Sequence, residues 1–240
     1  MINCLTLQNR ISSVFPENNN NSISESTLLS IIGDLIANIQ TTDENTQVNM
    51  SDALSLIPTL SQGLDVNPIF SHIKAFEFST SLTIFDILGL DLCHAWIIDP
   101  NRDDLSPYSN FSYNVAVDKI INSDDMYSLG AFLEDTSSQI TEYGLECLSS
   151  QLKEGSVVVF FRNNHFNTLL KLNGKLYILL SDMGFADSSF AWECLVSVSG
   201  NNELVQADLG MVVEEEMRMV RRHEPLTRAS VDDNACCVIL

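Results

Sequence analysis

The sequence predicts an α+β domain with helices first and a mostly antiparallel sheet later. Three observations carry this. Helical apolar periodicity dominates as far as residue 152. Apolar, β-branched runs then follow at 156–161, 166–172 and 175–180. Between the last two stands Asn173-Gly174, the strongest short hairpin signal in the chain. Helices and strands segregated in this way define the α+β class.

The elements follow in order. Residues 2–11 place Ile2, Leu5 and Ile11 on a helical period, entered without an N-cap. Pro16 ends that element, and 18–21 is a polar low-complexity loop. Residues 24–40 predict a helix, with Ser24 as cap, Glu25 in the first turn, and Leu28, Leu29, Ile32, Leu35, Ile36 and Ile39 as the apolar face. A polar loop is expected over 41–50, then a shorter helix over 51–62 stopped near Pro58. The segment LDVNPIF, from Leu64, sets Asp65 and Asn67 between apolar neighbours, as an ordered loop does. A short strand over 76–78 and a helix over 81–88, capped by Thr80 or Ser81, come next. A strand over 92–98 ends in the Asp99-Pro100 turn. Helices over 113–122, 128–133 and 137–152 precede the sheet, the last interrupted by Gly144, and a final strand is expected over 191–198. Beyond about residue 212 charge takes over, with Glu214 to Glu216, Arg218, Arg221 and Arg222. The expected organisation is therefore a domain over 1–212 and a charged tail over 213–240.

Composition narrows the function classes. The chain has 240 residues, 45% of them hydrophobic, which is enough for one real core. Its 12 basic and 32 acidic residues leave a net charge of −20, which repels phosphates and argues against a nucleic-acid partner. That charge suits a basic partner, or solubility alone. No apolar run approaches the roughly 20 residues of a membrane-spanning helix. The N-terminus lacks the basic-then-apolar order of a secretory signal. Cys4, Cys93, Cys147, Cys194, Cys236 and Cys237 form no CxxC pair, as expected of reduced thiols in a cytoplasmic protein. His72, His94, His165 and His223 have no closely spaced companion ligands, so neither a metal nor another cofactor is expected.

The chemistry centres on EGSVVVFFRNNHFNTLLKL, residues 154–172. Ser156 to Phe161 reads as a strand buried on both faces. Arg162, Asn163, Asn164 and His165 interrupt it, and the apolar pattern resumes at Phe166. His165 thus stands at the mouth of a hairpin, on the kind of rigid element that holds a general base. A structural hydrogen-bonding histidine fits the same place. A thiol protease of this architecture carries its cysteine on an early helix and its histidine on the later sheet. The helix N-terminus lowers the thiol pKa and the imidazole takes the proton.

Six segments in order resemble one family. They are GLDVNPIF (63–70), FEFSTSLTIFDILGLDLCHAWIIDP (76–100), FSYNVAVDKII (111–121), FLEDTSSQITEYGL (132–145), EGSVVVFFRNNHFNTLLKLNGKLYILLSDMGF (154–185) and WECL (192–195). Together they resemble the catalytic domain of the MINDY deubiquitinases, cysteine peptidases that trim ubiquitin chains with a preference for chains joined through lysine 48 of ubiquitin. The resemblance implies a papain-like variant of the α+β fold, ubiquitin and polyubiquitin as partners, and His165 as the catalytic histidine. It implies ubiquitin contacts at Asp65, Val66, Trp96, Tyr113 and Phe161. Core packing is the competing role for the apolar four, and Trp96 and Tyr113 are expected to face ubiquitin. One departure stands out. MINCLTLQNRI aligns with the later part of the family's first helix, so the nucleophile would precede Met1 and its oxyanion-stabilising glutamine would lie further upstream. Cys4 falls about two turns beyond the nucleophile's place, on an apolar position, and is a doubtful nucleophile. Both a thiol-dependent deubiquitinase and an inactive ubiquitin-binding module remain open.

The last four residues, Cys237-Val238-Ile239-Leu240, fit a prenylation box, with Cys236 available for a second lipid. A chance apolar tail is the alternative. A lipidated Cys237 would anchor the protein peripherally on a membrane surface. Acidic residues interleave with Arg218, Arg221, Arg222 and Arg228, so electrostatic help there would be weak.

Overall fold

The computed structural model describes residues 1–11, 23–122, 127–185, 188–200 and 203–206. The helices are α1 (Ile2–Leu7), α2 (Glu25–Ala37), α3 (Glu44–Leu56), α4 (Thr83–Ile87), α5 (Tyr113–Asn122), α6 (Tyr127–Asp135) and α7 (Glu142–Gln151). The strands are β1 (Leu92–His94), β2 (Val157–Arg162), β3 (His165–Leu172), β4 (Lys175–Leu179), β5 (Phe190–Cys194) and β6 (Glu203–Gln206). They form one sheet in the order β1-β2-β3-β4-β5-β6. β1 pairs parallel to β2, and each later neighbour pairs antiparallel. The chain is therefore α+β.

Both faces of the sheet are covered, which is why β2 is an unbroken apolar run. On one face Val157, Val159 and Phe161 pack with Leu170, Leu172, Leu179 and Trp192 against Leu5 of α1, Ile32 and Ile36 of α2, Ala53 of α3 and Phe85 of α4. On the other, Val158, Phe160, Leu169 and Ile178 meet Leu145 and Leu148 of α7. A satellite core of Phe70, Trp96, Ile98, Ala116, Leu129 and Phe132 joins α5 and α6 to the chain that leaves β1.

Local chemistry fixes most boundaries. The Ser24 hydroxyl accepts from Thr27 N and starts α2, and Thr141 does the same from Gly144 N for α7. The Asn173-Gly174 turn has φ of 51° and 71°, the left-handed pair of a type I′ hairpin.

Several expectations are corrected. Residues 44–50 are helical, because Asp43 caps α3 by accepting from Thr46 N at 2.8 Å. Over 76–78 there is only the isolated bridge Pro68↔Phe76. A 3-10 turn, Thr80–Leu82, precedes α4, and neither Thr80 nor Ser81 caps that helix. The expected strand 92–98 stops at His94; the chain beyond leaves the ladder and bridges Ala95 to Ile140. The helix expected from 137 begins at Glu142, and Gly144 lies inside its first turn without breaking it. Glycine is required there, since a Cβ would stand 1.9 Å from Ala95 O. The last expected strand ends at Cys194, and β6 follows it, a short, largely exposed edge strand without apolar alternation. The polar loop 18–21, the boundary at 212, the charged tail, Cys236 and Cys237 lie outside the described residues.

Candidate active site

The hairpin between β2 and β3 is a two-residue turn closed by the pair Arg162↔His165. Its central residues, Asn163 and Asn164, have φ of 52° and 60°. Asparagine tolerates this left-handed region better than other non-glycine residues. His165 is the first residue of β3, and its side chain is exposed. Asn164 bonds to Gln139 twice. Its backbone N–H donates to Gln139 Oε1 (2.8 Å), and its Oδ1 accepts from Gln139 Nε2 (2.8 Å). Asn164 thus pins the turn to the segment between α6 and α7. Gln139 is itself left-handed, with φ of 58°.

The early helix lies over the same strands. Gln8 Nε2 donates to Val157 O (3.0 Å), while Cys4 Sγ donates to Val158 O and Thr168 Oγ1 (both 3.5 Å). Traced towards its N-terminus, α1 therefore advances along β2 towards the Arg162–His165 turn. Cys4 is fully buried, and burial pushes its thiol pKa up. Pleat alternation sets His165 on the sheet face opposite Phe166 and Thr168, and so opposite Cys4. Cys4 is a core side chain of α1, and the two groups do not form a pair.

Asp65, Val66, Trp96, Tyr113 and Phe161 line one cleft of about 450 Å³, with Asn164 and Gln139 at its border. The ordered loop carrying Asp65 is fastened by Asn67. Its backbone O accepts from Glu77 N (2.8 Å), its Oδ1 from Asn114 N (3.2 Å), and its amide donates to the Glu77 carboxylate. Trp96 departs from the expected exposed placement. It is 3% exposed, its indole N–H donates to Thr136 Oγ1 (2.7 Å), and its ring meets Phe70 edge-on at 5.1 Å. It supports Tyr113, whose ring lies 5.5 Å away and which is 40% exposed. Phe161 is a core residue with an edge on the cleft, packed on Phe166.

His94 supports this arrangement from beneath. It is fully buried; its Nδ1 accepts from Trp96 N (3.1 Å) and its Nε2–H donates to Ala75 O (3.0 Å). These partners demand the neutral ring, and burial pushes its pKa down to about 4. Sequence reasoning did not single out Gln139, Glu77, Phe78 or Ser79 as functional, although all four line the cleft. Only the Asn163-Asn164 dipeptide carried a local signal, that of a left-handed turn.

The α+β core thus carries a hairpin histidine next to Asn164, which lines a cleft with aromatic and acidic residues. The model of the MINDY deubiquitinase family matches residues 1–209, and the chain belongs to that family. It is 37% identical over 195 residues to the ubiquitin carboxyl-terminal hydrolase MINDY-1 of Danio rerio, covering 77% of this chain and 38% of that protein. It is 39% identical over 175 residues to the ubiquitin carboxyl-terminal hydrolase MINDY-2 of Homo sapiens, covering 68% of this chain and 28% of that protein. The chain thus spans well under half the length of these relatives.

Proposed function

We propose that this domain acts in cysteine-dependent cleavage of isopeptide bonds in ubiquitin chains, those joined through lysine 48 of ubiquitin in particular, on a papain-like variant of its fold. The observation that carries this reading is the direction of α1 towards the His165 turn. A helix rises about 1.5 Å per residue, so two further turns before Cys4 extend it by roughly 11 Å. Thr168, beside Cys4, lies three strand residues from His165, or about 10 Å. A thiol two turns upstream of Cys4 would therefore reach the level of the turn, at a helix N-terminus that favours thiolate, and would meet His165, which starts on the other sheet face, round the open end of the hairpin. His165 would take the thiol proton, the thiolate would attack the isopeptide carbonyl, and His165 would return the proton to the leaving lysine amine. Asp65, Val66, Trp96, Tyr113 and Phe161 would then receive ubiquitin.

The second reading, a ubiquitin-binding module without turnover, is favoured by the thiols among the described residues. Cys4, Cys93 and Cys194 are buried, and Cys147 lies on α7. The test compares this chain with one extended upstream of Met1, using a ubiquitin-based thiol probe and chains linked through lysine 48. Probe adduct and cleavage with the extended form, abolished by His165→Ala, are expected. Binding without adduct in both forms would favour the module, and neither binding nor adduct would remove both readings. A domain over 1–212, cytoplasmic location and peripheral membrane attachment through a prenylated Cys237 belong to the same proposal. Mass spectrometry of the C-terminal peptide from cells tests the lipid.

A further inference from the structure

The opposite end of β3 from His165 carries a turn with chemistry of its own. Asn173-Gly174, between β3 and β4, is the one Asn-Gly step in the chain. The pair Leu172↔Lys175 closes it, and Asn173, Gly174 and Lys175 are exposed. No hydrogen bond holds the Asn173 side-chain amide among the described residues. Gly174 has no Cβ, and one placed there would meet nothing within 4 Å, so its nitrogen is unshielded. An asparagine side-chain carbonyl followed by an unshielded glycine nitrogen is the pair of groups that closes a five-membered succinimide ring.

Two features of the fold hold these groups apart. The first is the turn itself. A type I′ turn gives its first central residue ψ of about 30°, which sets the next nitrogen trans to Cβ. Ring closure needs that nitrogen eclipsed with Cβ, so ψ must rotate by well over a right angle. The second is Glu154. Gly174 N–H donates to Glu154 Oε2 at 3.2 Å. Glu154 lies in the connection from α7 to β2, which is itself tied to β3. Gly155 N donates to Lys171 O (2.8 Å), Lys171 N to Ser156 O (3.0 Å) and Lys171 Nζ to Leu152 O (2.8 Å). The attacking nitrogen is thus fastened to a part of the fold outside its own hairpin. Asn163-Asn164 repeats the left-handed pair, yet its second residue brings a side chain, and Gln139 engages both the N–H and the side-chain oxygen of that residue.

We propose that Asn173 is a self-modification site, and that Glu154 restrains its conversion to aspartate and isoaspartate. When the turn opens, Gly174 N attacks Asn173 Cγ. The new N–C bond forms, the Cγ–Nδ2 bond breaks, and Nδ2 leaves as ammonia with the proton that Gly174 N gives up. Water then adds to one carbonyl of the succinimide and opens it to either product. Both products set a new carboxylate beside Glu154, and the repulsion favours release of the Gly174 N–H. Isoaspartate also lengthens the backbone by a methylene, which a two-residue hairpin loop cannot absorb while keeping its register. The modification therefore loosens the β3–β4 pairing once it has occurred. It is independent of what the cleft binds.

The experiment is ageing of the full chain at neutral pH and body temperature, folded and unfolded in urea. Trypsin then releases the peptide Leu172–Lys175, whose mass gain on amide-to-acid conversion is read against an unaged sample. Chromatography separates its aspartate and isoaspartate forms. Asn173 is expected to convert about tenfold more slowly, or slower still, in the folded chain than in urea. Glu154→Ala should raise the folded-state rate about fivefold, the effect of losing one hydrogen bond to a charged group. Glu154→Gln, whose amide oxygen still accepts from Gly174 N, should stay within about twofold of wild type. Glu154 is exposed, so both variants should keep the wild-type urea midpoint, which separates the restraint from general loosening. Asn163, read from the neighbouring peptide, should remain an amide in the folded chain. Equal rates for wild type and Glu154→Ala would overturn the restraint. Equal rates in the folded chain and in urea would mean that the turn holds nothing back. An Asn173 that stays unconverted in urea, or an Asn163 that converts as fast in the folded chain, would remove the site.

Discussion

The rings of Trp96 and Tyr113 meet at a tilt, 5.5 Å apart, yet replacing them has different consequences. Trp96 is 3% exposed and sits among Phe70, Ile98 and Phe132, so Trp96→Ala opens a cavity in the satellite core. Such truncations cost about 3–5 kcal/mol, and any loss of ubiquitin binding would be mixed with a loss of structure. Tyr113 is 40% exposed on the first turn of α5, and its removal leaves that core filled. Tyr113→Ala is therefore expected to weaken ubiquitin binding about tenfold while shifting the urea midpoint little. Trp96→Ala should shift the midpoint strongly. Binding unaffected by Tyr113→Ala would remove that residue from the ubiquitin surface. The lesson is local: an aromatic carried over from a family motif can shape a site by supporting its neighbour.

At the scale of elements, the β2–β3 hairpin is fixed at its tip by one reciprocal amide pair. Gln139 and Asn164 both hold left-handed backbone, which is unfavourable for each, and two hydrogen bonds of 2.8 Å offset it. Gln139→Ala removes both bonds. The Asn164 amide should then exchange with solvent at least several-fold faster, and stability should drop by about 1–2 kcal/mol, read by hydrogen exchange and urea unfolding. Unchanged exchange at Asn164 would show that the turn holds itself. Legibility in the sequence follows the same division between local and distant causes. α5 was readable to the residue, and α2 to within a few, because cap and periodicity lie within the element. The first half of α3 was not, since Ala53 is its one buried side chain and its cap, Asp43, sat in a polar run. β6 was missed because an edge strand such as Glu203–Gln206 needs no apolar alternation. At the site, His165 was visible from the polar break between two apolar runs. The common cleft of Asp65, Val66, Trp96, Tyr113 and Phe161 was not, because it is assembled from separate loops, α5 and β2. Gln139 and Glu77 act through partners 25 and 10 residues away, a separation that no local pattern records.

For the whole molecule, the parallel strand β1 and the loop that carries Asp65 are joined through His94. Its neutral ring bridges Ala75 O to Trp96 N, and Phe76 covers it edge-on at 5.0 Å. This makes the fold acid-sensitive in a defined window. The unfolded chain's histidine binds a proton below about pH 6.5. The folded one resists to about 4, chiefly because burial penalises the cation by more than the backbone groups of Ala75 and His72 favour it. Between those values the unfolded state holds more protons, so stability is present above pH 6.5 and is lost as pH falls towards 4. The full loss attributable to His94 is roughly 3 kcal/mol. The chain's 32 acidic side chains change the curve as well, and partial neutralisation of a net charge of −20 relieves repulsion over the acid end of the same range. The His94 contribution must therefore be read as a difference. His94→Asn keeps an acceptor for Trp96 N but cannot titrate. It should be less stable than wild type at pH 7.5, and the gap should narrow by roughly 3 kcal/mol as urea unfolding is repeated down to pH 4. Parallel curves for the two proteins would mean that His94 takes up its proton at the same pH in the fold as in the unfolded chain, and its hydrogen bonds would have to be reassigned.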